Sequence, residues 1–193
     1  MSDLATADSR LVNHRLVPPP GEFAIDPFHT FVTFRAQHLV VGRVKGRFDA
    51  VAGTVSVTEE VLDSHVEVSI EAASISTQMP MRDDDLRSSS YLDVERYPYL
   101  TFRSSGITEL PSGAWAIGGD LSIREVTRPT ELIVEFGGAV HDPFGNLRLG
   151  FHATTSISRK EFGLLHDLEQ AAGTLRIARD VLIEIDAEAV RPL

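Results

Sequence analysis

Residues Glu22–Phe48, EFAIDPFHTFVTFRAQHLVVGRVKGRF, decide the fold. From Val32 the stretch alternates: Val32, Phe34, Ala36 and His38 fall on one side, Thr33, Arg35 and Gln37 on the other. A period of two puts successive side chains on opposite faces of a strand, so this strand has one dry face and one wet face. Asp26-Pro27 is a turn signal just ahead of it, and Gly42 and Gly46 interrupt the far end. Such a strand needs partners of the same kind to cover its apolar side, and the rest of the chain supplies them.

Eight alternating segments follow the first twenty-one residues: Phe28–Val41, Arg43–Val57, Ser64–Ser76, Tyr99–Ile107, Ala114–Arg124, Thr130–Val140, Leu147–Arg159 and Thr174–Val190. In the third, Val66, Val68, Ile70 and Ala72 alternate with His65, Glu67, Ser69 and Glu71; in the last, Val181, Ile183, Ile185 and Ala187 alternate with Glu184, Asp186 and Glu188. Leu132, Val134 and Phe136 share the dry face of the sixth, with Ile133 on its wet side. The second segment changes phase between Phe48 and Val51, which predicts a β-bulge near Asp49–Ala50. Short links such as Leu110–Gly113 and Asp142–Asn146 favour antiparallel neighbours. Eight strands of this type abolish their exposed edges by closing on one another. The predicted fold is therefore all-β, a single eight-stranded antiparallel barrel, with an interior that is either self-packed or holds one small ligand. A membrane barrel would carry its apolar face outward, together with aromatic girdles that this chain lacks.

Met81–Tyr97, MRDDDLRSSSYLDVERY, does not alternate. Asp83, Asp84 and Asp85 ahead of Leu86 suit a helix start, Ser90–Asp93 has capping-box spacing, and Pro98 ends the run. One or two short helices are expected here, forming a flap between the third and fourth strands. Residues 1–21, ending in Pro18-Pro19-Pro20-Gly21, show no period and read as a flexible arm or an edge-covering strap, leaving 22–193 as one domain.

The 28 acidic and 18 basic side chains give a net charge of −10. That balance argues against nucleic acid and against anionic membrane surfaces. With no cysteine, disulfides, thiolate nucleophiles and thiolate metal sites are excluded. No apolar run reaches the length of a membrane-spanning helix, and the first twenty residues lack a signal-like apolar core, so a cytoplasmic location is expected.

Among the histidines, none forms a helical ligand pair, and no metal or cofactor is expected. His65 and His152 lie on wet faces, whereas His38 shares the dry face of Phe34. Asp26 stands three residues before His29, an acid–base spacing that no nucleophile or oxyanion turn accompanies. The Asp83–Asp85 run lacks the alternating donors of a calcium loop. Arg82 and Arg159 are open to two readings, as partners of buried carboxylates or as contacts to the polar head of a ligand. Gly118-Gly119 and Gly137-Gly138 lie in strand patterns, where glycine marks a bulge or a barrel corner.

Five stretches in order, IDPFHTFVTFRAQHL (Ile25–Leu39), GRF (Gly46–Phe48), RDDDLRSSSYLDVERYPYLTFRS (Arg82–Ser104), GDLSIREVTRP (Gly119–Pro129) and RKEFG (Arg159–Gly163), resemble the YceI-like family from about Glu22 to Val190. The resemblance implies a lipocalin-like barrel around an apolar tunnel that binds polyisoprenoids or similar long-chain amphiphiles, without catalysis. It also implies a member of the leaderless bacterial subset and admits a homodimer. Two departures bear on ligand choice. Asp85 stands where the family commonly has His, and Leu164-Leu165-His166-Asp167 replaces a Val-Ser-Trp-Asn-like tail.

Inward positions expected to contact such a ligand are Val32, Phe34, Ala36 and His38 on the first strand, Phe48 on the second, and Val68 and Ile70 on the third. Leu86 and Leu92 come from the flap. Phe102, Leu121, Ile123 and Phe136 come from the next three strands, Phe151, Ala153 and Ile157 from the seventh, Phe162 from the turn after it, and Ile183 from the last. A soluble binding or carrier protein for an isoprenoid or other long apolar chain is the leading reading. The alternatives are an enzyme using His38 or His29 as acid–base on a hydrophobic substrate, and a self-packed barrel whose outer face binds protein.

Overall fold

Half-dry strands lose every open edge only when the last pairs with the first, and this chain adopts that solution. The computed structural model describes residues 8–12, 14–38, 41–166 and 177–192. Its strands are β1 (Arg10–Val12), β2 (Arg15–Val17), β3 (Gly21–Ile25), β4 (Phe31–His38), β5 (Gly42–Phe48), β6 (Val51–Val57), β7 (His65–Glu71) and β8 (Ile75–Ser76). After helix α1 (Pro80–Arg87) come β9 (Tyr99–Glu109), β10 (Trp115–Ile123), β11 (Val126–His141), β12 (Leu147–Ser158) and β13 (Ile177–Arg191).

Three staves of the barrel are broken in two: β3 with β4, β5 with β6, and β7 with β8. Together with β9 to β13 they make the closed eight-stave antiparallel barrel that the alternation predicts. β13 closes it. One side of β13 pairs with the whole of β12, from Leu147↔Arg191 to Ser158↔Asp180, while the other pairs with β3 at Ala189↔Ile25 and with β4 from Asp186↔Phe31 to Val181↔Ala36.

The phase change at Asp49–Ala50 is present as the break between β5 and β6, and it keeps both Phe48 and Val51 on the cavity wall. Register also slips next to Gly137 and at Gly118-Gly119, as expected of glycine within strands. The first stave corrects the expected start at Phe28. That side chain is 85% exposed in the Asp26–Thr30 turn, which is held by the Phe28 N–H donating to Asp26 Oδ1. The stave begins instead at Gly21, where Phe23 and Ile25 already face the core. Leu39 and Val40, at the expected end of that segment, and Thr174–Leu175–Arg176, at the expected start of the last, lie outside the described residues.

Within the stretch expected as an arm or a strap, Arg10–Val12 and Arg15–Val17 pair as the antiparallel β1–β2 hairpin, whose strands are too short for a period to register in sequence. The hairpin straps one end of the barrel: Arg10 donates to the Thr58 and Glu59 carbonyls, Arg15 pairs with Glu109, and Val17 is buried. Residues 1–7 and 13 of the expected arm lie outside the described residues.

At the other end the expected flap is present as one helix, and it starts earlier than the carboxylates suggest. Pro80, not Asp83, opens α1, because proline at a first helical turn lacks only an N–H that would have no partner there. Asp83 is buried, accepting the Thr77 N–H at 2.7 Å and the Thr77 hydroxyl at 2.5 Å, which ties α1 to β8. Burial pushes the Asp83 carboxyl up, but the bonds from Thr77 outweigh it and hold the group below the usual range. Ser88–Tyr97 forms turns rather than a second helix.

Core side chains gather in two clusters. One, with Phe23, Val51 and Leu149, lies toward the strap; the other, with Leu100, Phe102, Ile123 and Phe162, lies toward the helix. On the adjoining wall Gly46 pairs with Phe34, and a Cβ there would stand 2.3 Å from Phe34 Cζ and 2.9 Å from Thr77 Cγ2. Gly46→Val is therefore expected to displace the Phe34 ring and to cost about 1–3 kcal/mol of stability. A thermal melt checks this, and an unchanged melting temperature would show that the ring does not need the space.

Candidate functional site

Inside the staves, the inward parity of the strands leaves a cavity of about 500 Å3. That is within the roughly 300–1,000 Å3 typical of small-molecule sites. Its wall is built almost entirely from aliphatic and aromatic side chains. β4 supplies Val32, Phe34, Ala36 and His38; β5 supplies Phe48; β7 supplies Val68 and Ile70; β9 supplies Phe102; and β10 supplies Leu121 and Ile123. Phe151, Ala153 and Ile157 come from β12 and Ile183 from β13, while Leu86 and Leu92 reach in from α1 and the turn after it.

Two expected lining residues lie elsewhere. Phe136 packs with Trp115 and Phe151, its centroids 6.4 and 5.5 Å from theirs, against the strap-side core. Phe136 keeps the parity of Leu132 and Val134 and pairs with Phe151, since the slip at Gly137 comes after it, so its packing against these two rings and not its phase takes it off the cavity wall. Phe162 is buried in the helix-side core and supports the wall from behind.

Sequence reasoning missed Tyr91 and Leu164, which belong to turns without a period, and Trp115 at a strand start. It also missed Val44 and Ile185, which the period of two marks plainly. His65, exposed on its strand, contributes to the strap-side rim.

Polar side chains collect at the helix end. Arg82, Asp85, Tyr91, Arg159 and His38 all border the cavity there. Arg82 gives Nε to the Thr77 hydroxyl at 2.7 Å and Nη2 to the Thr77 carbonyl at 3.1 Å. Arg159 gives Nη2 to the His166 carbonyl at 2.9 Å. Asp85 is exposed at the rim. Of the tail that departs from the family pattern, Leu164 lines the cavity, whereas Asp167 lies outside the described residues. Chemically this arrangement offers an apolar hollow with charge at one end.

The Asp26–His29 pair is real, at 2.8 Å between Asp26 Oδ2 and His29 Nδ1, but neither residue borders the cavity. Asp26 belongs to a clasp on the outer wall. Arg148 Nη1 reaches Asp26 at 2.6 Å and Glu188 at 2.9 Å, and its Nε reaches Asp142 at 2.9 Å. Burial pushes the Asp26 carboxyl up, but the bonds from Arg148, His29 and the Phe28 N–H prevail and hold it at about 2. Asp142 is also lowered to about 2, first by Asn146 and then by Arg148 against its own burial. Asp26, His29 and Glu188 are close enough to share a metal ion, yet the guanidinium already fills that role as the cation between the two carboxylates. His152, on a wet face, pairs with Asp186 at 2.8 Å, which raises its pKa. Among the described residues no carboxylate is hydrogen-bonded to His38.

Comparison with known proteins agrees with this geometry. Residues 23–189 match the model of the YceI-like domain. A UPF0312 protein of Ectopseudomonas mendocina is 33% identical over 160 residues, 81% of this chain and 84% of its own. Burkholderia cenocepacia BcnA superposes with a TM-score of 0.72 at 18% identity, over 85% of this chain and 98% of that one. A polyisoprenoid binding domain from Saccharophagus degradans, implicated in plant cell wall breakdown, superposes at 0.63 with 14% identity, over 88% and 98%. At those identities the two structures testify to the fold.

Proposed function

This chain belongs to the YceI-like family, and on that premise we propose that its barrel is a binding or carrier site for a polyisoprenoid or another long-chain amphiphile. The single observation that carries the reading is the continuous apolar cavity between the two core clusters. The polyisoprenoid-binding domain among its structural neighbours supports the ligand class. The wall residues of β4, β5, β7, β9, β10, β12 and β13 are the proposed contacts, together with Leu86 and Leu92.

Burying one methylene contributes about 0.8 kcal/mol, so a five-carbon isoprene unit contributes roughly 2–4 kcal/mol. Micromolar affinity needs about 8 kcal/mol net of the several lost in immobilising the ligand. Around four buried units therefore suffice without any strong polar contact, and selection by the apolar wall rests on chain length. Binding rather than catalysis is the reading, since the Asp26–His29 pair is bound into the outer clasp.

Native mass spectrometry and organic extraction of the purified protein are expected to reveal a co-purified lipid, and apoprotein is expected to take up a prenyl quinone. Repeatedly empty preparations that also refuse prenyl quinones and polyprenyl compounds would overturn the proposal.

A further inference from the structure

Resting on the carrier reading, we propose that the helix end of the cavity is a headgroup site in which Arg159 binds an anionic oxygen of the guest, a carboxylate or a phosphate. The guest would then lie with its head beneath α1 and its tail toward the β1–β2 strap. Arg159 directly follows β12, and its backbone is pinned. Its N–H donates to the Arg179 carbonyl at 2.9 Å, and its own carbonyl accepts from Phe162 and Leu164 at 3.3 and 3.0 Å. The side chain is only 5% exposed and borders the cavity beside Tyr91, whose ring centroid is 5.6 Å from Cζ. Nη2 is used by the His166 carbonyl, whereas the buried Nη1 has no hydrogen-bond partner among the described residues.

A guanidinium keeps its charge at any accessible pH, and a buried charged donor left unpaired is strongly unfavourable. Two neighbouring arginines have what Arg159 lacks, a second hydrogen-bonded nitrogen in one and a carboxylate partner in the other. Arg82 gives two of its nitrogens to Thr77. Arg124, whose Nε also lacks a hydrogen bond, has the Glu125 carboxylate 3.5 Å away and donates Nη1 to the Tyr91 carbonyl. No described carboxylate forms an ion pair with Arg159. An anionic oxygen on the guest answers both the unused donor and the uncompensated charge, whereas a hydroxyl head answers only the donor. Asp85 does not cancel this preference, because it is exposed at the rim, where solvent screens it.

The test uses three chains of equal length below their critical micelle concentrations: palmitate, hexadecyl phosphate and hexadecanol. The delipidated full chain should bind at least one of the two anionic chains roughly ten- to a hundredfold more tightly than the alcohol, and which one identifies the head as carboxylate or phosphate. Arg159→Met should reduce that affinity to the alcohol's level while leaving hexadecanol within about twofold. Equal affinity of the unmodified protein for all three chains would overturn the headgroup site and leave the carrier reading standing, and this comparison needs no variant to fold. Retention of the preference in Arg159→Met, or equal weakening of acid and alcohol, would overturn it too. Refusal of all three chains and of prenyl quinones would remove the carrier reading, and the headgroup site with it.

Discussion

Phenylalanine at both Ala36 and Ala153 is expected to abolish uptake of an apolar guest while leaving the melting temperature unchanged or slightly higher. Both alanines border the cavity. Ala36 on β4 faces Val181 and Val44 across its two neighbours, and Ala153 on β12 faces Val134 and Ile185. In a filled interior each added ring would force its surroundings apart at about 1–3 kcal/mol. At roughly 2–4 °C per kcal/mol for a domain of this size, the double variant would melt several to more than ten degrees lower. In a hollow interior the rings enter vacant space and gain apolar burial instead. The same two melting curves, read beside a prenyl quinone titration, separate a container from a packed barrel. A large fall in melting temperature would count against the container.

Arg148→Met should cause the largest loss of stability. Its guanidinium joins three carboxylates, Asp26, Asp142 and Glu188, that approach one another on the outer wall where the β3–β4 turn meets β12 and β13. Removing one partner of a buried ion pair costs about 3–5 kcal/mol, because the other charge stays behind without compensation. Arg148 is partly exposed, so the expected loss is about 2–3 kcal/mol, or about 4–12 °C in melting temperature. The clasp also sets the acid limb. Asp26 and Asp142 titrate near 2 in the folded chain, against an ordinary 3.8. Between those values the unfolded chain binds more protons, so stability is full above about pH 4 and falls as the pH drops toward 2. In Arg148→Met the two carboxyl groups lose one of the donors that depress them, and this acid limb should become shallower. Urea midpoints from pH 2 to 7 check both effects, and an identical acid limb in the two proteins would refute this role for the clasp.

Most of the barrel was legible because half-buried strands impose their period on the sequence. Val66, Val68 and Ile70, or Val181, Ile183 and Ile185, can satisfy one apolar wall only in alternation, and they do line it. Legibility failed where local chemistry overrides that period. Phe23 and Ile25 belong to the first stave, but the Asp26–Thr30 turn separates them from β4 and hides the continuity. Phe136 keeps its period, and only its packing against Trp115 and Phe151 takes it off the cavity wall. The carboxylates of α1 looked like a solvated helix start, whereas Asp83 faces inward to Thr77. The polar end of the cavity was the least legible part. Tyr91 and Leu164 lie in turns, where no period exists to say which way a side chain goes.

The double partnership of β13 has a consequence for synthesis. While only the earlier staves have emerged, β12 and the β3–β4 stave present unsatisfied backbone along their full lengths, and the greasy inner wall lies open to water. Nothing local can relieve this, since both seams wait for the same late segment. Nascent chains of this protein should therefore depend on protection by chaperones until the final stave arrives, because open edges and exposed apolar faces are what drive partly made β-proteins to aggregate.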